Sequence, residues 1–301
     1  MPIGNAFTIL KSVKVEVPYV EEFITNINQP EDILMYNNEL YVLYTSGGKD
    51  IAKIDINKNI TFFAELKLPV NDIENITEAP IYATRMDIDT FGNFYVTNNL
   101  ITVNPPALGA YYFNICKINS LGEVSIHIDS NVNAGLGIAL DKNNNIFYGN
   151  ITYQKIDKFN INGTLLDSQF GNKSLNRVYD IDFDSKGDLY AASLDKKIYK
   201  IKEDASSVTS FVVTTNVPSC LCFDKNDNLY YNESNIIYKV TPSGVKTRIA
   251  GNGVIGGDKI GAALNALFLN VNSLLYVEEG SQEVIYICDT GNNKIKKLFL
   301  V

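Results

Sequence analysis

Residues 180–191 read Asp180-Ile181-Asp182-Phe183-Asp184-Ser185-Lys186-Gly187-Asp188-Leu189-Tyr190-Ala191: a short strand ending in Asp, a turn, then an apolar-Tyr-apolar strand. The unit recurs as Met86-Asp87-Ile88-Asp89 before Phe94-Tyr95-Val96, as Ile138 to Asp141 before Ile146-Phe147-Tyr148, and as Leu221 to Asp224 before Leu229-Tyr230-Tyr231. Weaker copies without the Asp run from Ile33 to Tyr36 before Leu40-Tyr41-Val42, and from Leu274 to Val277 before Ile285-Tyr286-Ile287. Between the strands stand turn formers such as Lys142-Asn143-Asn144-Asn145 and Ser185-Lys186-Gly187-Asp188. Gly and Asn accept positive φ at little cost, so each reads as a tight hairpin with the Asp capping its amides.

The aromatic column Tyr41, Tyr95, Phe147, Tyr190, Tyr230, Tyr286 recurs every 40 to 56 residues, and six such units account for essentially the whole chain of 301 residues. A third strand of apolar-x-Lys-apolar form follows at Ile51–Ile54, Ile115–Ile118, Ile198–Ile201, Ile237–Val240 and Ile295–Leu298, and then a turn and a fourth β-rich segment. Four strands per unit at this period is the signature of a propeller blade. The pattern predicts an all-β fold: a six-bladed β-propeller of four-stranded antiparallel blades, in one domain over residues 1–301. The blades fall at roughly 29–66, 83–128, 135–170, 178–214, 218–250 and 271–301. The last unit stops after its third strand, so residues 1–25, with alternating Val13, Val15 and Val17, are expected to supply the closing strand. Closure of this kind removes the open edges of a strand ladder.

A net charge of −8 and only three arginines (Arg85, Arg177, Arg248) argue against a nucleic-acid partner, whose phosphates call for clustered Lys and Arg. Nowhere do eighteen apolar residues run together, so no membrane-inserting helix is expected. Lys11, Lys14 and Glu16 interrupt the first twenty residues, which lack the apolar run of a signal peptide. Cys116, Cys220, Cys222 and Cys288 lie in strand-like contexts and read as buried structural thiols, compatible with a reducing intracellular compartment.

Near the C-terminal end, Ala250-Gly251-Asn252-Gly253, Gly256-Gly257-Asp258, Ala262 and Ala266 resemble the inter-blade linker of NHL repeats. Asp289-Thr-Gly-Asn-Asn-Lys-Ile-Lys-Lys297 is similar to the same family's entry to the third strand. The resemblance implies a small residue, usually Gly, at the start of each inner strand. That column here is Asp32, Arg85, Gly137, Asp180, Cys220 and Ser273, and two residues on it reads Leu34, Asp87, Ala139, Asp182, Cys222 and Leu275.

Inner strands border the central channel, so Asp32, Arg85, Asp87, Asp180 and Asp182 are expected to converge at its mouth. Several oxygens at one place suit Ca²⁺ or Mg²⁺; alternatively, backbone amides, Arg85 and water satisfy them and no cofactor is needed. Six-bladed lactonases of the gluconolactonase-like kind hold a divalent metal through Glu, Asn and Asp, and Glu31-Asp32 would be the corresponding acids. Here, however, Gln29-Pro30 precede them in place of that family's Glu-Gly-Pro opening. His127 is the only histidine and sits in an alternating strand, so His-dependent lyase chemistry lacks its residues. No catalytic constellation emerges. The leading expectation is a non-enzymatic scaffold presenting loops to a protein or glycan partner, with a metal-dependent lactonase or esterase as the alternative. The longest insertions, 68–82 and 97–112, are the expected recognition region. The Lys-rich third strands (Lys196, Lys197, Lys200; Lys294, Lys296, Lys297) are expected at a rim, discouraging edge-to-edge pairing.

Overall fold

A computed structural model describes residues 17–45, 49–73, 76–101, 111–129, 134–253 and 255–301. Blade 1 comprises strands Asp32–Tyr36, Glu39–Thr45, Lys49–Ile54 and Ile60–Glu65, and blade 2 comprises Met86–Ile88, Phe94–Ile101, Tyr111–Ile118 and Val124–Ile128. Blade 3 runs through Gly135–Leu140, Ile146–Asn150, Lys155–Phe159 and Leu165–Asp167; blade 4 through Val178–Phe183, Leu189–Ser193, Lys197–Ile201 and Val208–Val213. Blade 5 is Leu221–Phe223, Leu229–Glu233, Ile236–Val240 and Lys246–Ala250. Blade 6 takes Val271–Glu279, Gln282–Asp289 and Lys294–Phe299 from the C-terminal end and Tyr19–Ile24 from the other. Within each blade neighbouring strands are antiparallel. The first strands touch one another in the cyclic order of blades 1 to 6 and back to 1, which makes a closed six-bladed β-propeller.

Closure rests on Tyr19↔Phe299 through Ile24↔Ile295, and Val20 and Ile24 are buried there. The closing strand runs Tyr19–Ile24; Val17 precedes it and is exposed, while Val13 and Val15 lie outside the described residues. The short strand Gly261–Ala262 then pairs with Tyr19 and Val20 on the far side. The two stretches that carry the NHL resemblance meet here, where Asn292 Nδ2 donates to Gly257 O (2.8 Å) and Lys296 Nζ bridges Asp258 (2.8 Å) and Asp289 (2.7 Å).

Each hairpin Asp acts as predicted from its position. Asp89 Oδ1 accepts from the Phe91 and Asn93 amides (2.9 and 2.8 Å), and Asp224 repeats the arrangement with Asn226 and Asn228. The apolar core lies between blades, as where Tyr190, Ala192 and Ile198 of blade 4 pack on Leu221, Tyr231 and Val240 of blade 5. Burying each such large side chain contributes about 1.5–3 kcal/mol. The four cysteines are free and buried in this core.

Two expectations need correction. Lys200, Lys296 and Lys297 are not rim residues, because a fourth strand covers that edge: Lys296 is fully buried, Lys200 pairs with Asp184 and Asp188, and Lys297 stacks on Tyr286 at 5.4 Å, whereas Lys196 is exposed in the turn before its strand. A buried ammonium demands partners, and acidic and aromatic groups supply them. The first insertion forms its own hairpin, Lys67–Ile73 with Ile76–Pro80, as a separate two-stranded sheet between blades 1 and 2. Residues 102–110 of the second insertion, with Pro105-Pro106, lie outside the described residues. Among the described residues no helix is long and apolar enough to cross a membrane.

Candidate functional site

The inner strands bring Asp32, Arg85 and Asp180 together at the axis. Arg85 Nε lies 3.2 Å from Asp180 Oδ1; its Nη1 donates to Thr84 O (2.7 Å), and its Nη2 donates to Asn272 O (2.7 Å) and to Ser219 O. One guanidinium from blade 2 thus spans the channel to blades 4, 5 and 6. Its planar fork suits this, since a compact ammonium could not serve diverging carbonyls at once.

The carboxylates follow a rule set by the ring. A first-column residue of one blade accepts the amide that follows that column in the next blade: Asp32 Oδ2 takes Met86 N–H (2.7 Å) and Asp180 Oδ2 takes Leu221 N–H (2.9 Å). The second column repeats it, with Asp87 Oδ2 accepting from Leu140 N–H (2.6 Å). Asp32 Oδ1 further accepts from Ser273 Oγ (2.6 Å), which joins blade 6 to blade 1. Between blades 3 and 4 the column offers Gly137 instead. A Cβ there would come within 3.2 Å of the Asp180 backbone, so backbone proximity replaces a side-chain bridge. Asp182 stands apart: its one hydrogen-bond donor among the described residues is its neighbour's amide, Phe183 N–H (2.7 Å).

Burial governs the charges. It pushes Asp87 up to about 7 against the pull of the Leu140 and Ile88 amides, and Asp180 up to about 6 against the pull of Arg85. Asp182 rises well above the ordinary carboxylate range, again through burial, and Asp32 is raised for the same reason despite Arg85 and Ser273. Burial opposes the Arg85 charge too, but Asp180 and Asp32 outweigh it and hold the guanidinium cationic.

These donors do not fit a divalent cation. Such an ion takes six or more oxygens, whereas Asp32, Asp87 and Asp180 have committed theirs to amides and to Arg85. Glu31 gives one oxygen to Lys49 (2.7 Å) and the other to Asn272 Nδ2 (2.8 Å). Among the described residues no group of three or more His, Cys, Asp or Glu side chains is placed to hold a metal ion. His127 packs edge-on against Tyr95 at 5.1 Å, and burial lowers its pKa, leaving a neutral ring.

Sequence reasoning missed a polar column three residues after the aromatic one. Asn98, Asn150, Ser193, Glu233 and Asp289 are all buried. Most pin the loops leading to the channel face: Asn98 accepts from Tyr82 N–H (3.2 Å), Glu233 from Thr215 N–H (2.9 Å) and Asp289 from Leu269 N–H (2.7 Å). The signal was a polar residue at fixed offset inside an apolar strand. On that face, between blades 5 and 6, Ser219, Asn232, Asn235, Asn270, Asn272 and Thr290 line an open cavity of about 460 Å³.

No protein-family model matches the chain, and no curated protein matches it in sequence. Solved structures do match in fold. An auxiliary nutrient binding protein from Bacteroides ovatus is 14% identical with a TM-score of 0.68, over 94% of this chain and 76% of that one. Virginiamycin B lyase from Staphylococcus aureus is 17% identical with a TM-score of 0.63, over 94% of this chain and 100% of that one. A putative gluconolactonase is 9% identical with a TM-score of 0.66, over 94% and 92%. At these identities the likeness establishes the six-bladed β-propeller and nothing finer.

Proposed function

We propose that the chain is an NHL-like, single-domain binding scaffold whose channel face receives a protein or glycan partner, and that it performs no chemistry at the channel. The observation that carries this reading is the commitment of the axial carboxylates: Asp32, Asp87 and Asp180 hold the next blade's amides, and Arg85 spans the mouth. Groups so engaged are poor nucleophiles, bases or metal ligands. The cavity on that face between blades 5 and 6 has a neutral, amide-rich lining, a chemistry that suits hydroxyl and carbonyl groups and so favours the glycan.

Glycan-array binding of the wild type is compared with Asn270→Gly and with a variant shortened between Asn99 and Ala110. Asn270 has φ 57°, so glycine keeps its backbone while removing its amide. Binding lost in Asn270→Gly supports a site at the cavity, and binding lost only in the shortened variant moves it to the insertion. Undiminished binding in both overturns the proposal. A melt with chelator, Ca²⁺ and Mg²⁺ tests the hydrolase alternative, because a cation held by the native state alone at a hundred times its Kd adds about 2.7 kcal/mol. A shift abolished by Asp180→Asn would replace the scaffold with a metal site.

A further inference from the structure

The opposite face, made by the hairpins, carries a second and unrelated feature. Neighbouring hairpins are stapled by a fixed pair, the residue after the capping Asp and the residue three beyond that Asp in the next blade. Thr90 N–H donates to Asn144 Oδ1 (3.1 Å) and Asn144 Nδ2 to Thr90 Oγ1 (2.9 Å); Ser185 donates both its N–H and its Oγ–H to the Asp227 carboxylate (2.8 and 2.9 Å). Between blades 1 and 2 the Tyr36 ring packs on Gly92, and between blades 5 and 6 Lys225 bridges Glu278 and Glu283. Between blades 3 and 4 the pair is Lys142 and Gly187, and glycine supplies no staple. The seam opens into a pocket of about 330 Å³.

Its floor is aromatic. Phe147 meets Phe170 and Phe183 edge-to-face at 4.9 and 5.1 Å, and Lys158 Nζ stands 5.0 and 5.4 Å from the Phe147 and Phe170 ring centroids. The other lining charges are occupied. Asp141 caps its own hairpin through Asn143 and Asn145, Asp184 caps Lys186 and Asp188 and pairs with Lys200, and Glu203 pairs with Lys142 at 2.9 Å. Asp167, opposite Lys158 across the strands, turns an oxygen to the Gln169 amide (2.9 Å). Lys158 is therefore the unpaired charge of the pocket among the described residues.

We propose that this seam is a binding site for a monocyclic aromatic carboxylate, whose ring joins the phenylalanine cluster and whose carboxylate pairs with Lys158. The volume lies at the lower end of the range for small-ligand sites, enough for one ring and a short acidic arm. An edge-to-face ring extends the existing aromatic geometry, and a carboxylate on a partly desolvated ammonium forms a strong charge-assisted bond. The exposed Lys142–Glu203 pair across the mouth is of a kind that holds weakly and does not bar entry.

Phenylacetate, benzyl alcohol and benzyltrimethylammonium are titrated by ligand-observed NMR into the wild type, Lys158→Met and Gly187→Asn. Gly187 has φ 83°, in the left-handed region that the staple residues Asn144 and Asp227 also use at 60° and 59°, and an added Cβ would meet the Glu203 carboxyl at 3.0 Å, the movable end of a flexible side chain. The wild type is expected to bind phenylacetate in preference to both other probes. Lys158→Met is expected to weaken phenylacetate about tenfold or more while leaving benzyl alcohol unchanged. Gly187→Asn is expected to abolish binding with an unreduced Tm. Preference for the ammonium probe, no binding by the wild type, or full phenylacetate binding by Gly187→Asn overturns the proposal.

Discussion

Tyr190 and Lys200 are direct cross-strand partners, with Lys200 Nζ 2.7 Å from the tyrosine oxygen and 4.8 Å from the ring centroid. The same register pairs Tyr41 with Lys53, Tyr95 with Lys117, Phe147 with Lys158, Tyr230 with Lys239 and Tyr286 with Lys297. The aromatic column and the lysine column are thus one motif on two adjacent strands. Lys200 also neutralises Asp184 and Asp188, at 3.0 and 2.9 Å. Lys200→Met is expected to destabilise the protein by about 3 kcal/mol, because it leaves buried Asp184 without its ammonium, whereas Asp188 keeps Lys202 at 2.9 Å. Lys117→Met, which loses a ring contact at 5.8 Å but no carboxylate among the described residues, should cost under about 1 kcal/mol. Urea melts of the two variants check the contrast, and equal losses would contradict it.

Arg85 and Asp180 are expected to be coupled. Arg85→Met leaves a carboxylate buried beside unpaired carbonyls and should cost about 3–5 kcal/mol. Adding Asp180→Asn removes that charge, so the double variant should be more stable than the sum of the singles predicts, by about 0.5–3 kcal/mol. A double-mutant cycle by chemical denaturation provides the measurement.

Stability should also depend on pH through Asp87. Its folded-state pKa, about 7, lies above the ordinary value of 3.8, so the folded chain holds this proton more tightly than the unfolded one. The associated stability is fully present below the unfolded pKa and is lost as pH rises from about 4 through about 7. Asp87→Asn removes the loss while its side-chain oxygen still accepts from Leu140. The variant should match the wild type near pH 4 and exceed it at pH 8, with a Tm gain of about 1.5–2 °C for each kcal/mol recovered. A constant gap across that range would show that Asp87 does not titrate there.

Removal of residues 1–25 takes away the strand that pairs with Lys294–Phe299 and uncovers the cluster holding Ile24, Val284 and Ile295. The truncated chain is expected to melt at least about 10 °C lower or to associate through the freed edge, because an unpaired strand recruits another. Light scattering and calorimetry together report both outcomes, and a monomer with an unchanged Tm would mean that the ring does not depend on this strand.

The fold was legible because it is written locally. An Asp before a turn, an aromatic in the next strand and a lysine in the third recur in phase, and each answers a short-range need: capped hairpin amides, a filled seam, a compensated ammonium. The need for a closing strand followed from counting strands, although its start at Tyr19 did not, since alternating valines and Tyr-Val-Glu-Glu-Phe-Ile read alike until a partner strand sets the register. The convergence of Asp32, Arg85 and Asp180 was foreseeable from their shared column. What they do there was not. A carboxylate looks the same in sequence whether it faces a cation or the next blade's amide, and only the offset between adjacent inner strands brings the Met86, Leu140 and Leu221 amides to those oxygens. The open seam at Gly187 is likewise invisible along the chain, because a glycine that forms its own turn correctly withholds a side chain only from a neighbour about forty residues away, and that adjacency exists in the closed ring alone.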